Sequence, residues 1–156
     1  MTLDELSDYF DQLANEIGEA MQKDIPIIVG VEAVNFFKQG FEDEGFTDKS
    51  FERWAEVKRR MGQGKGADAV RKILTGRTGN LKDSIDYDVE PWKVIVYANP
   101  QNVGAGENYA ATHNFGGVVN GVFVPQRQFI GHSEQLNDKI KEKIENYLNQ
   151  KISQHE

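Results

Sequence analysis

From Leu3 to Phe41 the apolar residues return at every third or fourth position, and that period dictates helix. Leu3, Leu6, Phe10, Leu13, Ile17 and Met21 make one stripe on a helix of about five turns, with acids on the opposite face. Thr2 and Glu5 stand three apart just before the stripe, the capping-box pattern in which each side chain satisfies a free backbone N–H. Asp24 followed by Pro26 starts a second helix, because proline is tolerated in the first helical turn. Ile27, Val31, Val34, Phe37 and Phe41 carry it on, while Gly30 and Ala33 would permit close helix packing. The cluster Glu42-Asp43-Glu44-Gly45 ends the helix, with Gly45 as the expected C-terminal cap.

Beyond Gly45 the period is lost. Residues 46–80 hold Phe46, Phe51 and Trp54 in a polar context and a glycine tract, Gly62, Gly64 and Gly66, so they read as a long, partly irregular connection. From Asn80 the pattern becomes that of a strand, with Leu81, Ile85, Tyr87 and Val89 in loose alternation with polar residues. Trp92 to Tyr97 is the strongest strand signal in the chain. Glu90-Pro91 between the two runs suggests an antiparallel hairpin, followed by a glycine loop from Asn99 to Glu107. Tyr109 to Phe115 suits a short helical turn, and Val118 to Val124 a third strand with a turn or bulge at Asn120-Gly121. Residues 125–129 make an extended link. Ser133 then caps a final helix bearing Leu136, Ile140, Ile144, Tyr147 or Leu148, and Ile152 on one face. The expected fold class is α+β, in one domain over 1–156: two N-terminal helices, a basic irregular connection, a small mainly antiparallel sheet and a C-terminal helix.

The 156 residues can bury an ordinary core, and 38% apolar with 28% charged residues argues against a disordered chain. No run of about 18 apolar residues is present to span a membrane, and the acidic start lacks a secretory pattern. The absence of cysteine excludes disulfides, thiolate metal sites and cysteine nucleophiles. The net charge of −7 hides a strong asymmetry. Residues 1–48 hold twelve acids and two bases (−10), 49–82 hold ten bases and three acids (+7), and 83–156 hold six bases and ten acids (−4). Such an asymmetry speaks to partners rather than to fold. One reading has acidic helices facing the basic segment within the chain; the other has that segment meeting an acidic neighbouring subunit, or nucleic acid.

Motifs for chemistry are missing. Lys65 lies in the glycine tract, but neither the phosphate-loop pattern nor G-x-G-x-x-G is present. His113, His132 and His155 have no second ligand at metal-site spacing, and no serine sits in G-x-S-x-G. No catalytic residue, metal site or cofactor is expected. Lys58, Arg59, Arg60, Lys65, Arg71, Lys72 and Arg77 near Trp54 could serve single-stranded nucleic acid. The acidic remainder would repel phosphates, so a protein surface is the expected partner and nucleic acid the alternative.

Four short blocks occur in order: Trp54-Ala55-Glu56-Val57-Lys58; Ile73 to Leu81 with Ser84-Ile85; Tyr109-Ala110-Ala111-Thr112-His113-Asn114-Phe115-Gly116-Gly117; and Pro125 to Gly131. Together they resemble the phage virion morphogenesis family, which includes tail-completion proteins of contractile-tailed, Mu-like phages and prophages. The resemblance covers roughly residues 25 to 150 in the order that family shows. Gln128 stands where the family often has proline, and Ile130 where it often has leucine. What the resemblance implies is a non-enzymatic virion part that completes the tail or joins it to the head, as a homo-oligomeric ring contacting other neck or tail proteins. It would be assembled in the bacterial cytoplasm.

The block residues Trp54, Leu74, Gly79, Leu81, Tyr109, His113, Gly116, Pro125, Arg127, Phe129 and Gly131 read as structural. Gly79 permits a turn launching the first strand, Tyr109 and His113 share a helical face, and Phe129 anchors its link to the core. The basic segment 49–82 and the glycine loop 99–106 are the expected subunit or neck contacts. Charge reversal at Arg59, Arg60 and Arg71 is expected to abolish them with the fold intact.

Overall fold

Pro26 decides how the chain begins. Its ring cannot donate a backbone hydrogen bond and clashes with the carbonyl four residues back, so one helical run is broken in two at Lys23. The computed structural model describes residues 1–100 and 109–154. It places α1 over Leu3–Gln22 and α2 over Asp24–Asp43, with the expected capping box at Thr2 and Glu5. The left-handed residue that ends α2 is Glu44 (φ +59°) and not Gly45, which instead opens a strand.

Three antiparallel hairpins follow, each a separate two-stranded sheet: β1 (Gly45–Thr47) with β2 (Phe51–Arg53), β3 (Ile85–Glu90) with β4 (Lys93–Ala98), and β5 (Gly117–Val119) with β6 (Val122–Val124). The connection from 46 to 80 therefore contains a hairpin and two 3-10 turns, Lys58–Arg60 and Gly66–Ala69. Gly79 (φ +69°) leads first into a helical turn, α3 (Asn80–Asp83), so the strand begins later than the alternation suggests. Trp92 is likewise a turn residue with φ +61°, following Pro91, and Glu90 pairs directly with Lys93. Asn120 and Gly121, both at positive φ, turn the third strand candidate into the β5–β6 hairpin. The short helix α4 (Tyr109–Phe115) and the long α5 (Glu134–Ser153) complete the chain.

The core gathers around α2. Phe41 is fully buried, with its ring 5.3 Å from that of Trp54 and 5.5 Å from that of Phe129. Ala33, Phe37, Ile73, Leu74, Leu81, Ile85 and Leu136 close around them. Helix α5 runs antiparallel to α2. Its first N–H groups, from Glu134 and Gln135, donate to Asp48 past the end of α2, while the Tyr147 hydroxyl near its far end donates to Asp24 at the start. Ser133 caps α5 by accepting from the Leu136 N–H at 3.1 Å.

Two helical faces differ from their apolar patterns. On α2 the buried residues are Ile25, Pro26, Gly30, Ala33, Phe37 and Phe41, leaving Ile27 and Val31 exposed. The reason is β3. A Cβ on Gly30 would fall 2.2 Å from a ring carbon of Tyr87, so the small face of α2 receives a strand's aromatic rather than another helix. On α1 burial is confined to the junction with α2. Ala20 is buried, whereas Phe10 is 57% and Leu3 85% exposed, so the N-terminal end of the stripe stands largely in solvent. None of the described helices is long and apolar enough to cross a membrane.

Candidate functional site

Three of the four blocks are joined by hydrogen bonds, and the buried members of all four lie in the core. Trp54 Nε1 donates to the Gln128 carbonyl at 2.7 Å, tying the first block to the last. Arg127 is buried and donates through Nε to the Ala55 carbonyl (2.9 Å) and through a terminal nitrogen to that of Glu56 (3.2 Å). Burial lowers its pKa, with Arg59 adding to the effect against Glu56. The amide oxygen of Asn114 accepts from the N–H groups of both Phe129 (2.9 Å) and Ile130 (3.0 Å). The His113 carbonyl accepts from the Arg127 N–H at 2.7 Å. Gly116 (φ +71°) lets α4 end against this link, since a Cβ there would lie 2.8 Å from the Gln126 nitrogen. Leu74 and Leu81 lie in the same core, Pro125 is half-buried, and Gly131 is exposed just before the Ser133 cap.

Tyr109 and His113 share a face of α4 as their spacing requires, ring centroids 4.6 Å apart and edge to face. Burial and the charge of Arg127 push the His113 pKa below its ordinary value, and its Nδ1 is buried with no hydrogen-bond partner among the described residues. The folded chain therefore disfavours the protonated form of His113 relative to the unfolded chain. Below the unfolded value of 6.5 the unfolded chain binds a proton that the folded chain does not, so stability is lost as pH falls toward the folded value. The contribution is at most about 1.4 kcal/mol per pH unit. Denaturant unfolding at pH 7 and pH 5 checks this: His113→Gln should flatten the acid dependence, and an unchanged slope would show that other groups cause it.

The basic segment divides into two sets. Arg59 donates to three backbone carbonyls, those of Asp68 (3.1 Å), Arg71 (2.6 Å) and Lys72 (2.8 Å), and so staples the two 3-10 turns together. Arg60 pairs with Glu44, Arg71 with Asp68, and Lys72 with Glu42 at 2.8 Å. Lys72 and Lys82 together hold the Glu42 carboxyl down to about 2. Glu44 is the hub: it is buried and accepts from the Ile73 N–H at 2.9 Å as well as from Arg60. Burial pushes its pKa up, but that N–H, Arg60 and Arg53 outweigh it and leave the carboxyl below its ordinary value. With Arg77 3.4 Å from the Asp68 carboxylate, five of the seven basic candidates thus make contacts within the connection or to the end of α2. Reversing Arg59, Arg60 and Arg71 would remove these internal bonds as well as change the surface, so the variant's fold needs its own check by circular dichroism. Lys58, Lys65 and Lys72 are exposed, as is Arg77 despite its pair with Asp68.

Glu44 and Asn114 carry roles that composition and motif spacing did not single out. Glu44 belongs to the acidic cluster that marks only the end of the second helix in the sequence. Asn114 lay inside a block as the residue after His113, with only its place in the block to mark it. Residues 101–106 of the glycine loop and His155 lie outside the described residues.

The surface carries a second cluster. Phe115, Val118, Val122 and Phe123 are each more than 60% exposed on α4 and the β5–β6 hairpin, and no charged residue occurs from 115 to 126. Among the described residues no group of His, Cys, Asp or Glu could hold a metal ion. Neither the curated proteins nor the solved structures contain a match to this chain. The sequence does match the phage virion morphogenesis family over residues 2–149, nearly its whole length. Three of the blocks that resemble that family interlock around Trp54, Asn114 and Arg127, the fourth adds Ile73, Leu74, Leu81 and Ile85 to the core, and the chain belongs to the phage virion morphogenesis family.

Proposed function

We propose that this chain is a non-enzymatic structural protein of a phage or prophage that completes the tail or joins it to the head. In this reading it acts as a homo-oligomeric ring, assembled in the bacterial cytoplasm and retained in the virion. The β5–β6 hairpin carries the reading. A two-stranded ribbon is marginal alone in water, and this one keeps apolar side chains exposed and a free edge on each strand. Exposed apolar surface of this kind marks a place where another chain sits. Val118 faces Phe123 across the ribbon, giving a neck or tail protein an apolar grip without charge selection. Lys58, Lys65 and Arg77 supply the complementary contact by charge, with Arg59, Arg60, Arg71 and Lys72 as its scaffold.

Tails assembled without this chain provide the test. Adding the purified protein should give rings or added density at one tail end in negative-stain images, and Phe123→Asp should remove that binding. A protein that leaves such tails unchanged would overturn the reading. Nucleic acid as the partner would instead show as binding that weakens steeply with salt and depends on Lys58, Lys65 and Arg77.

A further inference from the structure

We propose that α1 of one copy docks on the basic segment 58–77 of the next, head to tail. The inference rests on the reading above, that the protein works as repeated copies, and it names the contact between them.

The free half of α1 is built to pack on something. Leu3, Leu6, Phe10 and Leu13 alternate spacings of three and four, the repeat of a narrow seam that faces a partner surface, before the stripe runs on into the α2 junction at Ile17 and Ala20. Asp4, Glu5, Asp8 and Asp11 flank its exposed end, and no basic residue occurs from Leu3 to Gln22. Six acids on one helix repel a second copy of the same helix, so α1 does not pair with α1. It needs a basic surface with apolar residues in it.

The other end of the molecule offers one. Met61 is 69% and Val70 78% exposed, set among the exposed Lys58, Lys65 and Arg77. Counting Glu42 and Glu44 with the segment 49–82 lowers its charge only from +7 to +5, so the internal pairs do not neutralise it. Position excludes self-association within one chain. Helix α1 joins the start of α2, while Lys72 and Arg60 tie the basic segment to the end of α2, through Glu42 and Glu44. Twenty helical residues separate the two by about 30 Å, and the exposure of Leu3 shows that α1 does not fold back across that distance. A surface that meets a different surface of an identical copy makes a heterologous contact, the kind that generates rings.

The chain has no cysteine, so introduced thiols report this contact cleanly. Phe10→Cys and Val70→Cys proteins, mixed and treated with a short bismaleimide, should give a covalent mixed dimer, while each alone gives no cross-linked product. The double variant F10C/V70C should give a ladder of multimers. Adding Asp4→Lys, Asp8→Lys and Asp11→Lys to the Phe10→Cys protein should cut the mixed product about tenfold, as three surface pairs of ordinary strength imply. Lys58→Glu, Lys65→Glu and Arg77→Glu on the partner should restore it.

Absence of the mixed dimer, or a Phe10→Cys dimer with itself, overturns the contact. If rings still form on tails in that case, the contact alone is wrong. If the link forms but copies never join tails, the contact stands and the tail function falls.

Discussion

Trp54→Ala is expected to lower unfolding stability by about 3–5 kcal/mol, the range for removing a large aromatic from a packed core. The indole is 5% exposed, packs edge to face on Phe41, and holds the last sequence block through the Gln128 carbonyl. Trp54→Phe separates the two roles. It keeps an aromatic against Phe41 but leaves the carbonyl without its donor, so about 1–3 kcal/mol should be lost. Urea unfolding of both variants at neutral pH gives the comparison. Equal losses would mean the hydrogen bond, and not the ring, joins the blocks; no loss for Trp54→Ala would contradict the packing around Phe41.

Asn114→Ala is the second large effect. Two backbone N–H groups, of Phe129 and Ile130, end on one amide oxygen in a buried position. Alanine leaves both without an acceptor, which should cost about 2–5 kcal/mol for the pair. The segment 125–131 should also lose amide-exchange protection before α2 and α5 do. Asn114→Asp keeps an acceptor oxygen at the same place, so it should hold Phe129 and Ile130 better than alanine. A variant in which 125–131 stays as protected as in the parent protein would show that the clamp lies elsewhere.

The three long helices were legible because their signals are local. The capping box at Thr2, the Ser133 cap and Pro26 each act within one turn, and they fall where their residue types predict. The four blocks were legible as a family pattern, and their structural character survives in the buried Trp54, Arg127 and Phe129. Less was legible about faces. An apolar stripe states that a helix is amphipathic without naming what covers it, which is why Ile27, Val31, Leu3 and Phe10 read as core yet stand exposed. Trp92 belongs to a residue type favoured in strands, and the Pro91 turn overrides that preference with a positive φ.

Charge shows the same division. The excess of ten bases over three acids in 49–82 was countable from the chain alone. Which bases remain outward was not, because their partners Glu42 and Glu44 come from the preceding acidic stretch and reach Lys72 and Arg60 only when the connection folds against the end of α2. By itself the sequence determined the long helices, the N-caps at Thr2 and Ser133, the family and the existence of an acidic and a basic region. The tertiary structure alone decided that α1 joins one end of α2 while the basic segment is tied to the other, and that a hairpin without charge is left uncovered. Local periods and caps depend on neighbours a few positions away, whereas exposure depends on residues tens of positions apart that meet only in the folded chain.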